Sequence, residues 1–352
     1  MFRINSSYFT RITGLLLIGF AVFLGPSPAA CAEPLQVVTT TPNLAALVEA
    51  VGRSDVRVRS LARPGEDPHF VEARPSFVRL LHSADLLAVV GLDLGAGYVP
   101  ALVAQARNAE IQPGRPGYFD ASVGVGKILP SRTGVMARAL GDIHPMGNPH
   151  YLLDPAEGLR VARRLAERLS QLKPGARSSF EKNYMTFRDE LLTKLYGRQA
   201  VGTVGPQALA TSSFQGGGSA RALLRSRGVS LGGWEQEVEP YRGSLFVADH
   251  NMWPYFARRF GLEQMALLEP YPGVAPTVRH LQKVIEEMRA KKVRIILSSS
   301  YFRDEYAKKV ARETDARVAT MADQVGVDPT GDTYLDMIQA NVDRVLATLR
   351  KP

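Results

Sequence analysis

Hydrophobic and polar positions follow two rhythms along this chain. Short runs of β-branched and aliphatic residues at 35–41 (LQVVTTT), 56–61 (VRVRSL) and 85–91 (DLLAVVG) read as strands. The stretches between them place apolar residues every three or four positions, as with Leu44, Leu47 and Val51, and read as helices. Residues 123–129 predict a further short strand. Beyond position 243 the alternation resumes, with strands predicted at 244–248 (SLFVA), 293–297 (VRIIL) and 317–321. Helices are predicted at 251–260, 278–288 and 304–313, and a closing helix at 334–349. Strands separated by helices predict an α/β fold with parallel sheets.

The middle of the chain is different. Asp154 followed by Pro155 and Glu157 marks a helix start close to a capping box, and Val161, Leu165, Leu169 and Leu172 form its apolar stripe. A second helix over 178–196 carries Phe180, Tyr184, Phe187, Leu191 and Leu195, and would be roughly 28 Å long at the helical rise. Residues 197–233 then break the pattern with a glycine-rich run, Ser212 to Ser219 reading SSFQGGGS. It lacks the lysine and spacing of a phosphate loop, so it reads as a flexible insertion, with a short surface helix near 220–227.

At 352 residues the chain exceeds one ordinary core, and two domains are expected. Residues 1–32 stand apart: Arg3 and Arg11 precede an uncharged run at 12–25 and a small-residue site at 30–32, the layout of an export signal. Cys31 is the single cysteine, so no disulfide can form within one chain. Cleavage after Ala32 would remove it; lipid anchoring at Cys31 is the less favoured reading, because the usual leucine three residues ahead is missing. A metal would have to be held by nitrogen and oxygen. The formal charge of +9 becomes +7 without Arg3 and Arg11, and the basic residues are scattered with no interleaved aromatics. That pattern argues against nucleic acid as a partner.

The candidate chemistry centres on residues 141–154 (GDIHPMGNPHYLLD), a polar loop ahead of a strong helix start. Prolines and glycines fix a backbone there so that an imidazole points one way, and His150 reads as a metal ligand. His69 follows the strand at 56–61 in the loop PGEDPHF, and His250 follows the strand at 244–248; α/β sheets place their ligands at such strand ends. For His69 a surface loop histidine is the alternative. Asp323 opens the loop after 317–321. His69, His150, His250 and Asp323 thus share one setting, two from each half of the chain, and three imidazoles with a carboxylate make a set that zinc accepts. His82 and His280 read as helix-face residues. Ser298 to Ser300 lack the elbow and base of a nucleophile and read as a polar strand end.

Four segments in order resemble the cluster A-I metal-binding proteins of ABC transporters: PGEDPHF at 64–70, GNPHYLLDP at 147–155, DHNMWPYFARRFGL at 249–262 and TYLDMIQANVDRVLATL at 333–349. The resemblance covers nearly the whole mature chain. It implies two Rossmann-like α/β lobes, 33–173 and 198–352, joined by a long rigid helix at 174–197, with the metal in the cleft between them; the glycine-rich insertion at 198–233 departs from the shorter family pattern. By motif position His69, His150 and His250 match the family's nitrogen ligands and Asp323 its carboxylate. A periplasmic, monomeric receptor is implied, which captures Zn²⁺ as transported ligand and delivers it to a membrane permease. Manganese-binding relatives often carry Glu where His250 stands, so zinc is favoured with Mn²⁺ or Fe²⁺ as the alternative.

The chain also departs from the family. Residues 130–139 (PSRTGVMARA) hold none of the His- and acid-rich loop of many zinc-binding members. Asp328 and Asp332 are close enough to replace Asp323, and His144 can stand either behind the ligands or among them. An enzyme is not expected: there is no HExxH, and three His with Asp fill the tetrahedron that a catalytic zinc leaves open. A chelate receptor would need an aromatic or basic cleft in place of converging histidines.

Overall fold

Two parallel sheets carry the fold, and both are threaded alike. The first holds β1 (Leu35–Thr39), β2 (Val56–Ser60), β3 (Leu86–Val89) and β4 (Tyr118–Asp120) in the order β2-β1-β3-β4. The second holds β5 (Leu245–Ala248), β6 (Glu263–Leu267), β7 (Ile295–Ser299) and β8 (Arg317–Met321) in the order β6-β5-β7-β8. Val37 of β1 lies opposite Val58 on one side and Leu86 on the other, all strands parallel. From each central strand the chain crosses first to one side and then to the other. A crevice therefore opens beyond the carboxyl ends of β1 and β5, where α/β sheets take their ligands. The residues there, Thr40 and Thr41 in one lobe and Asp249 and His250 in the other, are buried.

The computed structural model describes residues 1–2, 33–130, 144–270, 275–300, 304–327, 329 and 331–350. The leader with Cys31, the segment 131–143 and Asp328 lie outside the described residues, and with them the export, lipid-anchor and Asp328 readings. Among the described residues no helix is long and apolar enough to cross a membrane.

Helices α1 (Pro42–Gly52), α2 (Pro75–His82) and α3 (Val99–Ala106) cover the first sheet. The Asp154 side chain accepts the Ala156 N–H at the start of α4 (Pro155–Leu172), and Leu159, Ala162, Leu165, Ala166 and Leu169 bury one face. The expected capping box does not close. Glu157 instead accepts the Gly126 N–H at 3.1 Å and pairs with Arg160 at 3.0 Å. Helix α5 (Arg177–Tyr196) buries Phe180, Phe187, Leu191 and Leu195 and packs against both α1 and α9 (Gly233–Val238).

Three readings need correction. The fourth strand is Tyr118–Asp120, not 123–129, because Phe119 is the residue that buries and pairs beside Ala88. Strand β6, with its mixed polarity, was not foreseen. The region 197–233 is not a flexible insertion: it folds as α6 (Arg198–Val204), α7 (Pro206–Phe214) and α8 (Gly217–Ser226), which bury Leu209, Ala210, Ala220 and Leu224 in the main core.

The second lobe is completed by α10 (Pro254–Phe260), α11 (Val278–Lys291), α12 (Glu305–Thr314) and α13 (Tyr334–Leu349). Trp253 and Phe256 are core residues, as read from sequence. Tyr334, buried at the start of α13, donates to the Leu152 carbonyl at 2.6 Å and so ties this lobe to the His150 segment.

Candidate metal centre

The loops that leave β2 and β3 and the segment before α4 converge on one point. Asp67 Oδ1 accepts both the backbone N–H of His69 at 3.0 Å and its ring Nδ1–H at 2.6 Å, so one short turn fixes the backbone and ring together. Asn148 fixes the backbone alone in a similar turn two residues before His150, whose N–H it accepts at 2.9 Å. His144 is held from outside its own loop: its Nδ1 meets the Leu92 carbonyl, just past β3, at 2.9 Å.

Among the described residues, His69, His144 and His150 form the one group of three whose candidate ligand atoms all lie within 4.8 Å of one another. The His69 and His144 Nε2 atoms are 3.0 Å apart, and the ring centres of the three residues lie 5.1 to 6.3 Å from each other.

His250 and Asp323 are not in this group. His250, 2% exposed, follows β5 with its Nε2 3.5 Å from the Glu269 carboxylate. Asp323, 6% exposed, follows β8 and accepts from the Ser299 and Ser300 hydroxyls at 3.3 and 3.4 Å. The Asp249 carboxylate accepts the Ser299 N–H at 2.6 Å and the Ser298 hydroxyl at 3.0 Å. The serine run is therefore a polar strand end that serves two carboxylates.

Burial raises all three acids here: Asp249 to about 6, Asp323 to about 7, and Glu269 to about 7 with Asp249 and Glu305 adding to it. A cation beside them would favour their ionised forms. Asp332 lies elsewhere, lining a cavity with Ala46, Glu49 and Phe187. His82 and His280 bond the Ala106 and Leu267 carbonyls, in keeping with their helix-face reading.

Hydrogen bonds already join the two sets of loops. Asn148 Nδ2 donates to the Asn251 carbonyl at 2.6 Å, and the Tyr255 hydroxyl donates to the Asn148 carbonyl at 3.0 Å. Asn43, at the start of α1, donates to the Asp323 carbonyl and accepts the Val325 N–H, both at 2.8 Å. Gln324 reaches the Glu66 carbonyl at 2.8 Å. Each proposed ligand thus has a neighbour within three residues bonded across the cleft.

Sequence reasoning missed Glu269 because β6 was not recognised, so nothing placed a carboxylate at its end. It left His144 open between two roles, since the Leu92 carbonyl that orients it is remote in sequence.

The profile of the family described as zinc-uptake complex component A, periplasmic (ZnuA) matches residues 37–195 and 233–347. The chain belongs to this family. Its members are substrate-capturing components of metal transporters, so the chain is a metal-binding receptor of the ABC-transporter kind and not an enzyme. The unmatched residues 196–232 hold the helices α6 to α8.

Among its relatives, the manganese ABC transporter substrate-binding lipoprotein PsaA of Streptococcus pneumoniae is 22% identical, over 96% of each chain. The zinc-binding protein TroA of Treponema pallidum is 23% identical, again over 96% of each. The Mn-bound periplasmic metal-binding protein of Candidatus Liberibacter asiaticus shares the fold with a TM-score of 0.63 at 19% identity, covering 89% of this chain and 98% of that one.

Proposed function

We propose that this protein is the periplasmic receptor of a zinc importer, with His69, His150, His250 and Asp323 as ligands to the transported ion. The observation that carries the reading is the convergence of imidazoles at the strand ends of one sheet opposite buried His250 and Asp323 at the strand ends of the other. Zinc takes nitrogen and carboxylate ligands in four-coordinate sites, whereas manganese prefers more oxygen. The leader at 1–32 supports export, and the ion would pass to a membrane permease. TroA, named for zinc, supports the choice of metal; PsaA, named for manganese, supports the second reading. Mn²⁺ is also favoured by Asp249 and Glu269, which add oxygen donors around His250.

Capture requires little closure of the lobes. The bonds through Asn43, Asn148 and Gln324 span the cleft, and α5 packs against both α1 and α9. Release would follow when the permease shifts the second lobe and loosens His250 and Asp323. Competitive titration of the metal-stripped protein with zinc and manganese, alongside His150→Ala, tests the reading. One tight zinc equivalent lost in the variant is expected, and preference for manganese would overturn the metal assignment. Small-angle scattering profiles with and without metal should superimpose; a large compaction would rule out the small-motion mechanism.

A further inference from the structure

We infer that His144 is itself a metal ligand, and that His69, His144 and His150 form a three-nitrogen half-site on the first lobe. This half-site holds a zinc-like cation before His250 and Asp323 engage it. The inference rests on the receptor reading above and extends it by a residue and an order of events.

The ring chemistry carries the argument. A carbonyl oxygen accepts but cannot donate, so His144 must present Nδ1–H to Leu92. The Asp67 carboxylate likewise fixes Nδ1–H on His69. In their neutral forms both rings then turn an Nε2 lone pair toward the other, 3.0 Å away. Two lone pairs repel unless a proton or a metal ion stands between them, and the third imidazole in the same group is what favours the metal. Two nitrogens bound to one tetrahedral zinc at about 2.0–2.1 Å lie roughly 3.3 Å apart, so the pair needs to open by only a few tenths of an ångström.

His150 brings a third nitrogen within the same 4.8 Å group. Oriented Nδ1–H groups bonded to a carboxylate or carbonyl are the usual second support of a histidine metal ligand, because they fix the tautomer and raise the basicity of Nε2.

The three donors belong to one lobe, so they can bind without any interlobe movement. Their set leaves one tetrahedral position for water or an incoming carboxylate. Exchange of His144 for His250 and Asp323, one ligand at a time, would then carry the ion into the cleft without freeing it. The reverse exchange would leave the ion on the weaker three-nitrogen half-site as the second lobe is pulled away, from which the permease takes it.

The test measures Zn²⁺ affinity by chelator competition, with Co²⁺ absorption as a check on coordination. It compares wild type, His250→Ala/Asp323→Asn and the same pair with His144→Ala. The double variant should keep one zinc equivalent, weakened more than about a hundredfold, and a tetrahedral cobalt spectrum; adding His144→Ala should abolish both. His144→Gln, which keeps an N–H for the Leu92 carbonyl, should behave as His144→Ala, and metal-free melting curves identify any variant that fails to fold.

A folded double variant that binds nothing, or a triple variant that binds as well as the double, overturns the half-site while leaving the receptor reading intact. A wild-type protein that binds no divalent metal overturns both.

Discussion

Gly197 and Gly232 lie against each other: a Cβ built on Gly197 would sit 3.0 Å from the Gly232 Cα. The excursion between them leaves and rejoins the chain at one point, and the family profile skips it. Removing residues 198–231 should therefore let the chain close. The loss of buried Leu209, Ala210, Ala220 and Leu224 should cost on the order of 5 kcal/mol. All proposed ligands lie outside the segment, so zinc affinity should stay within about threefold. Urea unfolding and metal titration of the deletion variant check this; unchanged stability or lost binding would refute it.

Arg259 on α10 reaches across to the cap of α4. Its Nε and Nη2 meet the two Asp154 carboxylate oxygens at 2.7 and 3.2 Å, with both side chains almost fully buried. Without Arg259 the buried Asp154 charge keeps only Arg258 at 3.5 Å and the Ala156 N–H. Arg259→Met should therefore destabilise by on the order of 2–3 kcal/mol, less than the roughly 3–5 kcal/mol of a fully broken buried pair. Asp154→Asn in the same chain removes that charge, and the double variant should be more stable than Arg259→Met alone. A double variant showing the sum of both single losses would mean that the ion pair is not the coupling element.

What could be read from sequence was local. The Asp154 cap, the core role of Trp253 and the strand-end positions of His69, His250 and Asp323 follow from neighbours a few residues away. What was misread depended on remote partners or on edges. Strand β6 lies at a sheet edge and is half-buried along most of its length, so it has no clean alternation, and Glu269 was lost with it. The glycines of 197–233 suggested flexibility, yet Gly197, Gly205 and Gly216 adopt positive φ where one helix stops and the next begins. They are helix punctuation. His144 is placed by the Leu92 carbonyl, a contact that no spacing rule could anticipate.

The two asparagine clasps should set how long metal is retained. Asn43→Ala removes both bonds to the backbone flanking Asp323, and Asn148→Ala removes the bond to Asn251 and the turn that holds the His150 N–H. Neither side chain is itself one of the proposed ligands, so zinc should still bind. Loss of the groups that orient metal ligands typically costs ten- to a hundredfold in affinity, and each variant should show about that loss, mainly as faster release. Stopped-flow transfer to a chelator measures the rate. An unchanged release rate in both variants would show that the cleft holds its geometry without them.

The pH dependence of the metal-free protein should carry the signature of Asp323. Burial pushes its carboxyl up to about 7 in the folded protein, whereas an unfolded chain releases that proton near pH 4. Between these values the folded state keeps a proton that the unfolded state has lost. Stability must then fall as pH rises, by up to about 1.4 kcal/mol for each pH unit. Asp323→Asn cannot titrate, so its stability should decline less over the same interval, and the two curves should diverge progressively from about pH 5 to about pH 7. A bound cation takes the place of the proton, so zinc should stabilise wild type more at the upper end of this range than at the lower, and the variant should lose much of that pH dependence. Urea unfolding of both proteins across this range, with and without zinc, makes the comparison; parallel curves for the metal-free proteins would show that Asp323 is already ionised in the fold.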